Sequence, residues 1–384
     1  MGAWEAPRSR RSPLPVVLVG LLLVAAGAAA VWTVRTPGTL QVDATRVMPT
    51  AEEAGWTPPR SGLWAPLPAA PVLSRIDHAI AGRGDRVAVW GGFDARGRPL
   101  DDGAVFDVSA GAWTRLHAAG TGGTAAEAVW VGDEIAIVSA AGTRTYDAER
   151  RIWHDGPALP LRDAEVLQHV TATDGLVIAF TRPAVGGTRA RPGALLWPRD
   201  ARRWRRLPAP PAAPTSGGVI LAADMRLVAL RPASPRVRAV AAELDPSAPT
   251  DAAWTAVAPP PGADRPLDRL LGTVVNGRVV VVAGDDAGDA RYAVVRDRRG
   301  TWRRIPVPPG AITSDDDLLA VGGQAVLWDR RAGAGLVLDV AAGRWDRIPR
   351  SPAADGVPRP AVAAGPRLVT WGGLGPVGAA YRVP

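Results

Sequence analysis

The side chains best suited to acid–base chemistry form a small mixed set of histidines, carboxylates and arginines. They stand just before or at the start of short apolar runs: Arg75, His78, Glu127, His169, Asp268, Arg269, Asp316 and Arg359. A carboxylate beside a histidine or an arginine can move a proton, as a lyase or hydrolase requires, or can bind a polar ligand. The same groups can instead pair with one another and satisfy their own charges, which we favour. For the case in which a ligand is bound there, we predict this set as the ligand-binding residues, and we assign no catalytic residue.

Metal and nucleophile chemistry find little support. The chain has no cysteine, which excludes disulfides, thiolate ligands and a cysteine nucleophile. We interpret His78 and His169 as structural parts of the repeat described below, not as metal ligands. In GDDAGDA, Asp285, Asp286 and Asp289 have the short spacing of a calcium loop, but the terminal glutamate of an EF-hand is missing. A solvated loop is favoured there, and no cofactor or metal is predicted.

Arginine carries all of the basic charge. The sequence has 45 Lys and Arg residues, every one of them arginine, and a formal net charge of +8. A nucleic-acid-binding face gathers its arginines on one element with aromatic residues between them. Here they are spread along the chain, and the one dense stretch, RRWRR at 202–206, alternates around Trp204 as a solvated strand does. We expect no nucleic-acid partner.

The N-terminal region contains the longest apolar stretch. Arg8, Arg10 and Arg11 precede an uncharged run over residues 15–34. As a helix rising about 1.5 Å per residue, that run spans roughly 30 Å, the thickness of a bilayer core. More arginines before the run than after it favour a cytoplasmic N-terminus. We therefore predict a cytoplasmic tail at 1–13, a transmembrane signal anchor at 14–34 and a Pro- and Thr-rich linker at 35–60.

A cleaved signal peptide is the alternative for this region. The small residues of AGAAA resemble a cleavage region, and processing there would release a secreted protein. The apolar run is long for a signal peptide and continues past the alanines, so the anchor is favoured. The expected location is the cell membrane, with a single span and an extracytoplasmic C-terminal domain.

Tryptophans mark a repeat through the rest of the chain. Seven have an apolar residue or glycine three positions later, usually followed by proline, and are spaced 40 to 51 residues apart: Trp64, Trp113, Trp153, Trp204, Trp254, Trp302 and Trp345. A period in this range is typical of propellers and related arrays. Before most of these tryptophans lie short apolar runs of strand length, separated by turn sequences such as TDG, NGR and AGPR.

These units predict an all-β, seven-bladed β-propeller of four-stranded blades over residues 61–384. The last unit lacks a Trp strand of its own, and the strand at Trp64 has no unit before it. Joining the two completes the last blade with the N-terminal strand and removes both exposed sheet edges. The starts of the innermost strands then meet at one mouth of the central channel, which is where we place the mixed set of side chains.

The best-preserved units resemble kelch repeats. SRIDHAI, RVAVWGG and VFDVSAGAW match that pattern at Arg75, His78, Gly91, Gly92, Asp107 and Trp113, and the last unit keeps Arg359, Gly372 and Gly373. The resemblance implies a propeller of the superfamily that contains the galactose oxidase central domain. Copper chemistry of the galactose oxidase kind, which uses a cysteine-linked tyrosine, is excluded because there is no cysteine.

Three functions share this fold. We favour a membrane-anchored module that binds a protein or a glycan through its loop faces, since variable loops on a rigid ring suit that role. The first alternative is a cell-envelope lyase or hydrolase with its site at the channel mouth. The second is a structural subunit of an envelope complex.

Overall fold

Short antiparallel strands are the regular secondary structure of the described part of this protein. The computed structural model describes residues 56–118, 126–173, 175–184, 192–211, 218–223, 225–233, 238–247, 253–264, 267, 269–284, 290–310, 312–313, 315–375 and 377–384, of which Arg269 and Arg291 are described only as backbone. The strands of these residues form seven four-stranded antiparallel sheets, six of them built from four strands that are consecutive in sequence. The predicted all-β propeller with seven four-stranded antiparallel blades is confirmed.

Blades 1 to 4 each use four consecutive strands, from the channel outward. Blade 1 has β2 (Ala79–Arg83), β3 (Arg86–Trp90), β4 (Gly103–Asp107) and β5 (Ala112–Leu116). Blade 2 has β6 (Glu127–Val131), β7 (Glu134–Ser139), β8 (Gly142–Asp147) and β9 (Ile152–Asp155). Blade 3 has β10 (Glu165–Thr173), β11 (Leu176–Pro183), β12 (Gly193–Pro198) and β13 (Arg205–Arg206). Blade 4 has β14 (Val219–Ala223), β15 (Arg226–Arg231), β16 (Val240–Leu244) and β17 (Thr255–Ala256).

Blades 5 and 6 also use four consecutive strands, whereas blade 7 takes its outer strand from the N-terminal end of the propeller sequence. Blade 5 has β18 (Arg269–Val275), β19 (Arg278–Gly284), β20 (Ala290–Arg296) and β21 (Trp302–Arg304). Blade 6 has β22 (Asp316–Val321), β23 (Gln324–Asp329), β24 (Ala334–Asp339) and β25 (Arg344–Ile348). Blade 7 has β26 (Ala361–Ala364), β27 (Arg367–Trp371) and β28 (Gly378–Arg382), and β1 (Trp64–Pro66) pairs antiparallel with β28, with Trp64 opposite Tyr381.

The second strand of a blade is apolar on both faces because it is covered by a neighbouring blade on each side. In β19 the sequence RVVVVAG is buried at every position after Arg278, and in β3 the sequence RVAVW is buried after Arg86. Continuous apolar runs of this kind are expected wherever both faces of a strand are covered. The hairpin between β18 and β19 turns through Asn276 and Gly277, whose φ angles of 50° and 73° match the left-handed pair that Asn-Gly favours.

The hydrophobic core lies at the seams between blades. Each of the seven seams holds a cluster of buried side chains drawn from the two blades that meet there. Trp90 and Trp130 join blades 1 and 2, and Val87 and Val369 join blades 1 and 7. Since no blade buries its faces alone, the core depends on every neighbour being in place.

Blades 1 and 7 approach each other closely at their innermost strands. The innermost strands β2 and β26 lie so close that a Cβ on Gly82 would stand 1.9 Å from the carbonyl oxygen of Ala363. Glycine is the residue that permits such an approach. The seam therefore brings residues from opposite ends of the propeller sequence into direct contact.

The repeated tryptophans form a ring of hydrogen bonds between blades. Each indole Nε1 donates to the backbone carbonyl four residues after the preceding tryptophan of the ring: Trp64 to Pro349 (2.8 Å), Trp113 to Pro68 (3.0 Å), Trp153 to His117 (3.0 Å), Trp204 to Pro157 (3.3 Å), Trp254 to Pro208 (3.1 Å), Trp302 to Ala258 (3.2 Å) and Trp345 to Pro306 (2.8 Å). The regular spacing of tryptophan in the sequence thus has a physical cause: one indole fastens each blade to the one before it.

Replacing a ring tryptophan by phenylalanine should cost one hydrogen bond per seam. We expect Trp302→Phe and Trp345→Phe each to lower the free energy of unfolding by about 1 kcal/mol, and the double variant by the sum, because the two seams share no partner. Urea unfolding followed by circular dichroism measures this. A double variant no less stable than either single variant would contradict a role for each indole at its own seam.

The chain already packs on the propeller before β1 begins. Trp56, within the predicted 35–60 linker, lies over Gly111 in the turn between β4 and β5, stacks edge-on against Phe106 and donates from Nε1 to the carbonyl of Val108 at 3.1 Å. The predicted tail and anchor, residues 1–34, lie outside the described residues. Within the described part of the chain, no helix is long and apolar enough to cross a membrane.

Candidate functional site

The predicted site residues surround the end of the channel where the innermost strands begin. Glu127 opens β6, Asp316 opens β22, and Arg269 opens β18, its side chain lying outside the description. Arg75 and His78 precede β2, Arg359 precedes β26, and His169 lies within β10. Asp268 is outside the described residues, as are Asp285, Asp286 and Asp289 of the GDDAGDA stretch. We call this end of the ring the mouth face.

Arg75 fastens two loops of blade 1 together. Its side chain is fully buried, and its guanidinium donates to the carbonyls of Leu73 (3.0 Å), Gly91 (3.0 Å) and Asp102 (2.8 Å). It also forms an ion pair with the Asp102 carboxylate at 2.8 Å. Burial lowers the pKa of the guanidinium below its ordinary value, and Asp102 opposes that shift. All of these contacts are internal, so Arg75 holds the entry to β2 against the loop between β3 and β4.

Arg359 likewise fastens two loops of blade 7 together. Its guanidinium donates to the carbonyl of Val377 at 3.0 Å and pairs with Asp355 at 2.7 Å, with only 3% of the side chain exposed. A Cβ on Gly373 would stand 2.8 Å from this guanidinium, so the absence of a side chain at Gly373, the second glycine after Trp371, leaves room for Arg359. Desolvation would raise the pKa of Asp355, but hydrogen bonds from Arg359 and Val357 outweigh it and lower that pKa.

The side chain of His78 packs between blades 7 and 1. Its ring meets Trp371 edge-on at 5.4 Å, and a Cβ on Gly372 would stand 2.3 Å from its Cε1. A Cβ on Gly92 would likewise clash with the His78 backbone. Burial, together with the nearby charge of Arg75, lowers the pKa of His78 to about 3. The imidazole therefore stays neutral at physiological pH and packs as an aromatic ring.

Acid should destabilise the protein through His78. The folded protein keeps His78 neutral, whereas the unfolded chain protonates it below about pH 6.5, so its contribution to stability is lost as pH falls. Between pH 7.5 and 5.5 we expect the free energy of unfolding to drop by about 1.4 kcal/mol from this group. Urea unfolding of wild type and His78→Asn at both pH values isolates this contribution. His154→Asn, at an exposed histidine, is the control; an equal pH slope in wild type and His78→Asn would contradict the account.

Asp316 belongs to the loop that enters blade 6. Its side chain accepts a hydrogen bond from the backbone N–H of Thr313, and the residue is 4% exposed. The neighbouring Asp315 accepts from the Arg331 side chain at 2.8 Å, and its carbonyl accepts from the Arg330 N–H at 2.9 Å. As in blades 1 and 7, polar groups at the mouth face tie a loop to the loop beside it.

Glu127 and His169 are the predicted pair that remains open to solvent. Glu127 Oε2 and His169 Nδ1 are 3.7 Å apart across blades 2 and 3, with 39% and 61% of their side chains exposed. A bulge in β10 at Gln168 places His169 one position out of register with β11. The two side chains can offer an acceptor and a titratable ring to one ligand. They do not lie with Arg75, His78 or Arg359 in a single catalytic constellation.

Exposed apolar side chains lie where the mouth-face loops of blades 7 and 1 meet. Leu73, Leu374 and Val377 are 46%, 53% and 45% exposed. Ser74 donates to the carbonyl of Gly373 at 2.8 Å, which holds the two loops side by side. We call Leu73, Leu374 and Val377 the seam patch. Sequence reasoning missed it, although apolar residues inside Pro- and Gly-flanked loops (PVLS and GLGPVG) were a visible signal.

Sequence reasoning also missed a buried acid in blade 3. Glu165 accepts from the Arg206 guanidinium at 2.9 Å and from the Thr181 hydroxyl. Desolvation would raise the pKa of Glu165, but these hydrogen bonds outweigh it and lower that pKa. Arg206 of the RRWRR stretch thus has a structural partner within its own blade.

Two cavities of about 500 Å³ lie away from the mouth residues. One, of about 520 Å³, is formed by turns of blades 5 and 6, and the other, of about 500 Å³, opens between blades 2 and 3 beside His154 and Arg199. Neither is lined by His78, His169, Glu127 or Asp316. Among the described residues, no group of three or more His, Cys, Asp or Glu side chains is placed to hold a metal ion.

Comparisons with known proteins describe the fold and no activity. No protein-family model matches the chain, and no curated protein has a similar sequence. Among solved structures, the one titled "Structure of YjhT" is similar over 80% of this chain and 97% of that chain, with 12% sequence identity and a TM-score of 0.45. A likeness at this level says nothing about a ligand or a reaction.

Proposed function

We propose that this chain is a binding module that recognises a protein through the seam patch on its mouth face. The observation that carries the proposal is that buried arginines hold the backbone of residues whose apolar side chains are exposed. Arg75 donates to the carbonyl of Leu73, and Arg359 donates to the carbonyl of Val377. The two arginines that resembled a ligand-binding set thus hold in place the loops that carry the patch.

The physical argument is one of preorganisation. Burying apolar side chains on association is favourable, and loops already fixed in position lose little conformational entropy on binding. Exposed apolar side chains rimmed by polar groups are a common mark of a protein interface. A glycan would instead call for polar side chains in a concave site, so a protein partner is the better match to Leu73, Leu374 and Val377.

We further propose that the propeller is kelch-like and is held at a cell membrane. The kelch pattern gains support from contacts: Gly92 and Gly372 make room for His78, and Gly373 makes room for Arg359. The anchor at 14–34 and the inside-facing tail at 1–13 rest on the apolar run and its flanking arginines. In this arrangement the propeller, residues 61–384, faces the cell exterior; cleavage near AGAAA would instead release it.

Affinity capture tests the partner and the surface together. Full-length protein in a neutral detergent is used to capture proteins from a membrane extract of its own cells. We expect Leu73→Asp/Leu374→Asp to reduce capture of the specific partner at least tenfold. Met225→Asp/Ile152→Asp, at equally exposed apolar residues elsewhere, should change it less than twofold. Equal capture by the seam-patch variant and wild type would remove the basis for this function.

A lyase or hydrolase is the second candidate, favoured by the open Glu127–His169 pair. A carboxylate 3.7 Å from an imidazole can orient it as a general base. The test is incubation of the full-length protein with cell-envelope polysaccharide, scoring new reducing or unsaturated ends. Product formed by the wild type and lost in His169→Gln would support an enzymatic function. If the wild type forms no product, the enzymatic function is rejected and the binding function stands.

A further inference from the structure

The face opposite the mouth carries a basic cavity that none of the functions above uses. It is about 520 Å³ in volume and lies between the turns of blades 5 and 6. Its walls come from four turns, β18–β19, β20–β21, β22–β23 and β24–β25. The residues that line it are Val275, Asn276, Arg278, Asp297, Arg298, Arg299, Gly323, Asp339, Val340 and Ala341.

Guanidinium groups dominate the polar lining. Arg278, Arg298 and Arg299 stand against the two carboxylates of Asp297 and Asp339, which leaves a net positive charge. Among the described residues, neither Arg278 nor Arg299 forms a side-chain ion pair. Arg298 is positioned by a 3.2 Å hydrogen bond from its Nε to the carbonyl of Asn276. The donors therefore sit on two hairpin turns fastened to each other.

The two carboxylates are already engaged with backbone. Asp297 Oδ1 accepts from the N–H groups of Arg299 (2.9 Å) and Thr301 (2.8 Å). Asp339 Oδ1 accepts from Ala341 and Ala342, both at 2.9 Å. Each acid shapes its own turn, so it is the arginines that have donors to offer a ligand. Arg303, whose Nη2 donates to the carbonyl of Val340 at 3.1 Å, adds a further positive charge at the rim.

We infer that this cavity binds a phosphate group. A phosphate presents several acceptor oxygens at once, and the planar fork of arginine matches pairs of them. A carboxylate ligand could also accept from two guanidinium groups, but it offers two oxygens and a single negative charge, whereas a phosphate offers more acceptor oxygens and more charge to several arginines. Arg278 and Arg299 lie on two different turns at the same end of blade 5. A phosphate bound by both arginines therefore bridges the β18–β19 and β20–β21 hairpins.

The position of the cavity indicates a lipid as the source of the phosphate. The turns between first and second strands and between third and fourth strands share one end of the ring, because the strands are antiparallel. Trp56, the first residue that the structure describes, packs on one of these turns, at Gly111, on the same face as the cavity. This part rests on the proposed membrane anchor; the phosphate site itself does not.

Calorimetric titration of the full-length protein in neutral detergent at low salt tests the site. The probes are inorganic phosphate, dihexanoyl phosphatidic acid and, as the zwitterionic control, dihexanoyl phosphatidylcholine. We expect saturable binding of phosphatidic acid, weakened at least tenfold in Arg278→Gln/Arg299→Gln. Arg202→Gln/Arg203→Gln, which removes the same charge from the β12–β13 turn, should weaken it less than twofold.

The possible results distinguish specific binding in the cavity from a general attraction to positive charge, and they do not depend on the proposed membrane anchor. Equal weakening by the two arginine pairs, or no saturable binding of either phosphate probe, would overturn the phosphate site. Inorganic phosphate binding as tightly as phosphatidic acid would support the site and overturn the lipid as its source. Because short-chain lipids are added to detergent-dissolved protein, none of these outcomes depends on whether residues 14–34 span a membrane or on the seam patch.

Discussion

Replacing Arg75 with methionine should lower the free energy of unfolding by about 3 to 5 kcal/mol. The change removes three hydrogen bonds to buried or partly buried carbonyls and leaves the Asp102 carboxylate, 17% exposed, without its buried partner. Removing one member of a buried ion pair is costly because the remaining charge and the orphaned acceptors stay desolvated. Urea unfolding at pH 7.5, followed by tryptophan fluorescence, measures the loss.

Arg115 provides a matched control for this prediction. It pairs with the same carboxylate of Asp102 at 3.2 Å, but its side chain is 60% exposed. Arg115→Met should therefore cost less than about 1 kcal/mol. Two variants of equal stability would show that Arg75 contributes nothing beyond a surface ion pair, and the account of loops held by buried arginine would be wrong. A loosened loop should also reduce capture of a partner by Arg75→Met at temperatures where the ring remains folded.

Gly82→Ala should be the most damaging single-methyl change at a seam. The added Cβ would stand 1.9 Å from the Ala363 carbonyl oxygen, so β2 and β26 must separate or the backbone must distort. Overpacking of side chains alone costs about 1 to 3 kcal/mol. Because the contact here is with backbone, we expect a loss near the upper end of that range, about 3 kcal/mol, measured by urea unfolding.

Gly375→Ala is the comparison that isolates the close approach. Gly375 has no left-handed φ, and the nearest atom to its added Cβ is Val377 Cγ2 at an ordinary 3.6 Å. Its effect should stay within about 0.5 kcal/mol, as for a surface change without strain. A harmless Gly82→Ala would mean that blades 1 and 7 are not in contact at this point, which would contradict the closed ring.

The blades were predictable because one residue type performs the same task at every seam. Trp113, Trp254 and Trp302 are half-buried, and each donates to a carbonyl of the preceding blade, so the spacing of tryptophan repeats with the blade. Apolar runs such as RVVVVAG follow from two covered faces. These features are local and periodic, so the sequence shows them in one blade after another.

The candidate surface was not predictable in the same way. Arg75 and Arg359 were visible as polar residues at the channel mouth, but their partners Asp102 and Asp355 occupy irregular loops with no period. The seam patch combines loops around Leu73 and Leu374, which meet only because blade 7 lies next to blade 1. Burial decides whether an arginine binds a ligand or holds a loop, and burial depends on contacts between residues far apart in sequence.

Site-specific photo-crosslinking in living cells tests the central claim most directly. The full-length protein carries p-benzoylphenylalanine at position 374 within the seam patch, or at position 225, an exposed apolar site remote from it. Binding through the mouth face predicts a crosslinked protein of one defined mass from position 374 and none from position 225. A partner crosslinked from position 225 and not from position 374 would place recognition on another surface and contradict the account.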